Sequence, residues 1–201
     1  MMEISVQPAT SFALGIVLAW LAGVRVYLTI FGIGVAAHLG VMDLPPTLEL
    51  AKSPLVLGIC GVMTLVEFAT DKIPGVDSTW DLVHTLVRVP AGAFLGAIAL
   101  PGTDGEASLA GMALGAGIAT LSHGLKSGTR ALINTSPEPA SNWTASFAED
   151  GLALALLWLA LTHPAWALVL LLVATLAFVA AIALLLRLLR SVGRRVRGAV
   201  A

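Results

Sequence analysis

Glu67 and Asp71 stand four residues apart, and so do Asp77 and Asp81, and His84 and Arg88. On a helix that spacing puts both members of a pair on one face. Asp81 and His84 are three apart, so Asp77, Asp81, His84 and Arg88 make one polar stripe. Lys126 and Arg130 form a matching basic pair, with His123 one turn before it. Two carboxylates a turn apart repel, and three kinds of chemistry relieve that. A divalent cation can sit among the oxygens, with Glu67, Asp71, Asp77 and Asp81 as candidate ligands. Salt bridges to Arg25, Arg88 or Arg130 can neutralise them. One acid of a pair can instead hold a proton. The plainest alternative is a salt-bridge network that only fixes helix register, with Lys72 and Asp77 in water at the surface.

The elements that must position these groups are membrane helices. The 201 residues are 58% hydrophobic and 11% charged, with a mean hydropathy of +0.94, whereas a soluble domain carries roughly 25% charged residues. A net charge of −1 gives no electrostatic basis for binding nucleic acid. The single Cys60 excludes an internal disulfide and reads as a buried apolar residue. An ion left unpaired at the bilayer centre costs at least about 3 kcal/mol, so the charged groups must face the bundle interior, a watery cavity or one another.

Crossing a bilayer takes about 20 apolar residues. Six candidate spans can be drawn, at 10–40, 54–71, 79–100, 106–134, 143–162 and 164–187, with Pro and Gly at many of the breaks. The expected fold is therefore all-α, a polytopic membrane bundle of about six helices in one domain (1–190) with a basic tail (191–201). Spans one and four are long and glycine-bearing, which predicts kinked or broken helices there. The N-terminal stretch lacks a basic region before its apolar run and reads as a first membrane helix. Five arginines between 187 and 197 place the C-terminus in the cytoplasm by the positive-inside rule. Trp20, Trp80, Trp143, Trp158 and Trp166 read as interfacial anchors, and His38 and His163 as interfacial or solvated. Glu49, Lys52, Asp104 and Glu106 fall in solvated loops.

Two loops resemble each other. PGVDSTW (74–80) and PEPASNW (137–143) share Pro, Ser and Trp at a constant offset of 63. Under that offset Glu67 falls on Arg130 and Asp71 on Asn134, while Arg88 lies opposite Gly151, beside Glu149 and Asp150. The first hairpin descends acidic and returns basic, and the second does the reverse. Gly23-x-Arg25 and Gly128-x-Arg130 add an echo between spans one and four. A three-plus-three duplication is expected (repeats 10–100 and 106–187), and such repeats often hold a site at their interface. If the hairpins meet there, Glu67 should approach Arg130, and Arg88 should approach Asp150.

GVRVYLT, the run EFATDKIPGVDSTWD (67–81), SHGLKSGTRALINTSPEP and SNWTASFAED together resemble an uncharacterised, mostly bacterial membrane-protein family catalogued as domain of unknown function 4126. The resemblance implies an integral membrane protein and no activity. EFATDK is also similar to the Glu-x-Gly-Asp-Lys signature of certain cation/proton exchangers, with one extra residue before Asp71 and no Gly. Three functions stay open. The first is a small secondary transporter or channel for an ion or polar solute, in which Glu67, Asp71, Asp81, Glu149 and Asp150 are ligands and Arg25, Lys126 and Arg130 counter-ions. The second is an intramembrane enzyme acting on a lipid phosphate, with Mg²⁺ on Asp77 and Asp81. The third is a structural or assembly subunit. A divalent cation is the candidate cofactor, and the expected partners are the lipid bilayer, a small ion or solute, and a further copy of the chain. The full candidate set is Arg25, Glu67, Asp71, Lys72, Asp77, Asp81, His84, Arg88, His123, Lys126, Arg130, Asn134, Glu149 and Asp150.

Overall fold

The computed structural model describes residues 8–73, 75–102, 106–134, 139–177, 179–180 and 187. The chain divides into two compact units, Met1–Leu168 and Val169–Ala201. Five helices build the first: α1 (Pro8–His38), α2 (Pro54–Thr70), α3 (Val76–Gly96), α4 (Leu109–Ile133) and α5 (Pro139–Thr162). Short 3₁₀ turns at Pro46–Lys52 and Ala97–Ala99 precede α2 and follow α3. A shorter apolar helix, α6 (Pro164–Ala177), comes next. Proline opens α1, α2, α5 and α6, where its missing N–H costs nothing and its φ suits the helix. The described residues contain no strand beyond one isolated bridge between Pro101 and Ala107.

Polarity in this bundle is reversed relative to a soluble domain. On α3, Asp77, Asp81, His84 and Arg88 are buried, while Leu82 and Leu86 are 75% and 82% exposed. Such an apolar exterior is matched to lipid, and the expected polar stripe lies inside. Outward-facing threonines fit the same solvent. Thr120, Thr144 and Thr162 each donate to the carbonyl one turn back, at 2.7 to 2.9 Å, which gives each of these hydroxyls a partner. By length and composition three helices can cross a membrane: Pro8–His38, Val76–Ala99 and Ala140–Thr162. Pro46–Lys52 with Pro54–Thr70, bent by 70°, makes a fourth if the pair is one span. Of the six expected spans, three or four meet the length and hydropathy of a crossing among the described residues, and part of the sixth (164–187) lies outside them. The basic tail at 191–201 lies outside the described residues, as do Pro74 and Pro137.

Helix α1 sits at the centre, packed by α2, α3, α4 and α5. Small residues allow this: a Cβ on Gly23 would stand 2.3 Å from the Ala119 carbonyl oxygen of α4. The break expected in the first span is present, at Arg25, whose φ of −143° and ψ of 70° leave the helical region. The break expected in the fourth is absent: α4 runs continuously from Leu109 to Ile133. Its Gly111 and Gly115 serve close packing instead. A Cβ on Gly115 would stand 2.3 Å from the Gly92 carbonyl oxygen, so α3 and α4 meet backbone to backbone through small residues spaced by four.

Candidate functional site

Nearly every charged group of the two hairpins converges on the middle of this bundle. Arg88 (α3) donates to Glu67 (α2) and to Asp81 (α3), each at 2.6 Å. Lys126 (α4) lies 3.4 Å from Asp81 and 2.7 Å from Asp71, at the C-cap of α2. Arg25, at the break in α1, donates to Asp71 through Nη1. Its Nη2 lies 2.7 Å from Asp150 of α5, in ion-pair contact but off the N–H axis, and 3.6 Å from Glu149. Lys72 closes one end on Asp150 at 3.0 Å, and Arg130 (α4) closes the other on Glu149 at 2.9 Å. Charges therefore alternate in sign: Glu67, Arg88, Asp81, Lys126, Asp71, Arg25, Asp150, Lys72, with Glu149 and Arg130 branching from Arg25. Five cations face five carboxylates across all five helices. Burial makes such pairing obligatory, since a lone ion here would be unsolvated.

The break in α1 is repaired from α4. Ser122 donates to the Trp20 carbonyl at 2.8 Å and Lys126 to the Val24 carbonyl at 3.3 Å, while Thr29 caps the Arg25 carbonyl at 2.7 Å. Backbone groups released by the break thus find partners inside the protein, as membrane depth requires. His123 sits beside them. Arg88 Nη1 lies 2.9 Å from His123 Nδ1, and Thr85 Oγ1 lies 2.7 Å from Nε2. Arginine can only donate, so Nδ1 accepts, Nε2 carries the hydrogen, and Thr85 passes its own to the Asp81 carbonyl at 3.1 Å.

The hairpin tips interlock. Asn134, closing α4, donates to both oxygens of Asp77 at 2.9 and 3.1 Å, and Asp77 also accepts from Gly75 and Ser78 backbone N–H groups at the start of α3. Asn142 of α5 accepts from Arg130 at 2.6 Å and donates to the Asp71 carbonyl at 3.3 Å. Trp143 Nε1 donates to the Lys72 carbonyl at 3.0 Å. Lys72 itself lies 3.1 Å from the Phe68 ring centre and 4.5 Å from that of Phe147. His84 stacks on Trp80 at 4.0 Å and donates from Nδ1 to the Trp80 carbonyl at 2.8 Å. Because buried Asn142 ties Arg130 to the other hairpin, Asn142→Ala should destabilise the protein by about 1–3 kcal/mol, read as a lower midpoint in detergent thermal unfolding.

Between α1, α2 and α5 lies a half-open cleft of about 110 Å³, lined by Arg25, Leu28, Thr64, Glu67, Phe68, Asp150 and Leu154. Here the charge chain borders a cavity wall shared by both hairpins.

Three expectations need correction. Arg88 pairs with Glu67 and Asp81, not Asp150, and Arg130 pairs with Glu149, not Glu67. The reason is packing order: α3 lies against α4, with α1 between the outer helices, so Arg88 and Arg130 find partners within their own hairpins, while Lys126, Lys72 and Arg25 join the two. Second, Glu67, Asp71, Asp77 and Asp81 are not gathered into one cluster. Among the described residues no three His, Cys, Asp or Glu side chains are grouped to hold an ion, because lysine and arginine occupy the space between the acids. Third, Lys72 and Asp77 are not in bulk water, being mostly or fully buried. Glu49 and Lys52 do form an exposed surface pair. Sequence reasoning missed Thr85, Ser122, Asn142 and Ser146, the last of which accepts from Lys72 Nζ at 3.3 Å. Asn142 and Ser146 flank Trp143 on one helix turn, a polar spacing that could have marked them.

Residues 12–185 match the model of a family described as Domain of unknown function (DUF4126). The chain belongs to the DUF4126 family. The match takes in every member of the charge chain of this DUF4126 protein, from Arg25 to Asp150. No curated protein and no solved structure matches it.

Proposed function

We propose that the protein is a small secondary transporter or channel that moves an ion or small polar solute by way of the carboxylate–arginine network between its two helical hairpins. One observation carries this: α1 is broken at Arg25, and the broken point is the hub of an alternating chain of buried charges beside a cleft. Transporter sites are commonly built where a helix is discontinuous and two repeats meet. Fixing a small bundle needs few buried ions, each of which is costly in a membrane, yet ten charges are gathered here, seven of them buried. Most have two partners of opposite sign, so a passing ion can displace one bond while another holds. The sign-exchanged hairpins support a three-plus-three duplication, and the arginine-rich tail supports a multi-pass protein of a bacterial inner membrane with its C-terminus in the cytoplasm.

The test is flux through proteoliposomes holding the purified chain, with a panel of monovalent cations, anions and small zwitterions. Arg25→Gln and Asp150→Asn, each with normal insertion, should slow the transported species by on the order of tenfold or more, about 1.4 kcal/mol in the barrier. A flux that survived Glu67→Gln, Asp71→Asn and Glu149→Gln combined would refute a route through this network. The near-complete pairing of the charges favours a second reading, an architectural subunit; it predicts silence across the whole panel and co-purification with a partner. The lipid-phosphate enzyme loses its motif, because Asp77 is held by Asn134 and backbone N–H groups while Asp81 is held by Arg88 and Lys126.

A further inference from the structure

We infer that Glu67 is the proton-binding group of this network and that H⁺ is the ion to which the protein couples; the coupling rests on the transport function proposed above, whereas the proton site can be tested without it. The five network carboxylates are not equivalent. Asp71 is shared by Arg25 and Lys126, Asp81 by Arg88 and Lys126, Glu149 by Arg130 and Arg25, and Asp150 by Arg25 and Lys72. Glu67 ends the chain and has one cation within salt-bridge distance, Arg88. Its Oε1 takes that bond, while Oε2 is buried without a hydrogen-bond partner; Asp71 Oδ1 and Asp81 Oδ2 are too, but each of those acids is held by two cations. Asp77, which has no cation partner, has both oxygens filled by N–H donors. Glu67 is 1% exposed, yet its side chain borders the cleft.

The surroundings of Glu67 tolerate its neutralisation. From α3 come Arg88, Asp81 and His84; from α4, His123 and Lys126 stand behind Arg88 and Asp81. From α1 come Arg25 and Tyr27, and from α5 Asp150. Asp71 and Cys60 share its own helix. A hydronium reaching the cleft gives its proton to Oε2 and leaves as water, and Glu67 becomes a neutral acid. Arg88 is then not stranded, for it keeps Asp81 at 2.6 Å and His123 at 2.9 Å. No other acid of the chain can be neutralised at the loss of a single ion pair. Release runs in reverse, with the proton returned to water and Arg88 again shared. One proton per cycle therefore shifts Arg88 between two partner sets, a discrete change that a coupled solute can bias.

The experiment is infrared difference spectroscopy of the full chain in liposomes after a step in pH. The wild type should show a protonated-carboxyl C=O band that appears on acidification and shifts in D₂O. Glu67→Gln should lose that band and Asp150→Asn should keep it. In unmutated protein, isotope-labelled glutamate should shift the band and labelled aspartate should not, which serves even where Glu67 variants fold poorly. A band that persists in folded Glu67→Gln, or that follows the aspartate label, overturns the assignment, as does a wild type with no such band at any pH. A Glu67 band together with flux that ignores an imposed pH gradient overturns the coupling alone. A Glu67 band with no flux of any tested species overturns the transport function while the proton site stands.

Discussion

Arg88→Leu is expected to cost about 3–5 kcal/mol, enough to remove most folded protein from the membrane. Arg88 is fully buried and, among the described residues, is the one cation in salt-bridge contact with Glu67 and one of two with Asp81. Removing it leaves a carboxylate in the bundle with neither water nor a counter-charge, and leaves His123 Nδ1 without its donor. The loss should therefore be rescued by removing the charge it served. Combining Arg88→Leu with Glu67→Gln and Asp81→Asn is expected to restore much of the stability, since replacing a whole buried ion cluster is often close to neutral. Thermal unfolding in detergent, read as a mutant cycle, makes the comparison. Should the triple variant be no more stable than Arg88→Leu alone, the side chain acts through packing rather than charge.

Gly115→Leu should be as damaging for a different reason. The Cβ alone would stand 2.3 Å from the Gly92 carbonyl oxygen and 2.8 Å from the Gly96 Cα, and both are backbone atoms that no rotamer change can move. The α3–α4 contact must open, and overpacking of this kind costs about 1–3 kcal/mol or more. Because α3 carries Asp81 and Arg88 and α4 carries Lys126, opening the contact also lengthens the 3.4 Å approach of Lys126 to Asp81. Gly117, two residues on, faces open space. Gly117→Leu is expected to leave stability within about 0.5 kcal/mol of wild type, and equal damage from both substitutions would mean that glycine matters here through helix backbone rather than helix contact.

Much of this was legible in the sequence, and the rest was not for identifiable reasons. Spacing alone placed Asp77, Asp81, His84 and Arg88 on one face, and hydropathy required that face to turn inward, as it does. The length and glycines of the first span pointed to its break. The same cues misled for the fourth, because a glycine that lets a helix bend and one that lets a neighbour approach look alike until the neighbour is known. Gly115 is the second kind. The sign exchange between hairpins was visible, yet its meaning was not. Helical periodicity says which residues share a face and nothing about which helix stands opposite, so Arg88 could not be assigned to Glu67 rather than to Asp150. Asn142 and Ser122 escaped because uncharged polar residues are cheap enough at a membrane surface to pass unnoticed, although here they are buried.

The pairing inside each hairpin bears on how the chain is made. Glu67 meets Arg88 on the very next helix, and Arg130 meets Glu149 on the next helix after its own. As the polypeptide emerges from the ribosome, an acid that would stall in lipid can wait beside α3 rather than for the whole protein. Each helix pair thus carries one internal ion pair, and Lys126 and Lys72 bridge the two pairs once both are present. Arg25 meets Asp71 of the first pair and Asp150 of the second, so the arrival of α5 completes the centre.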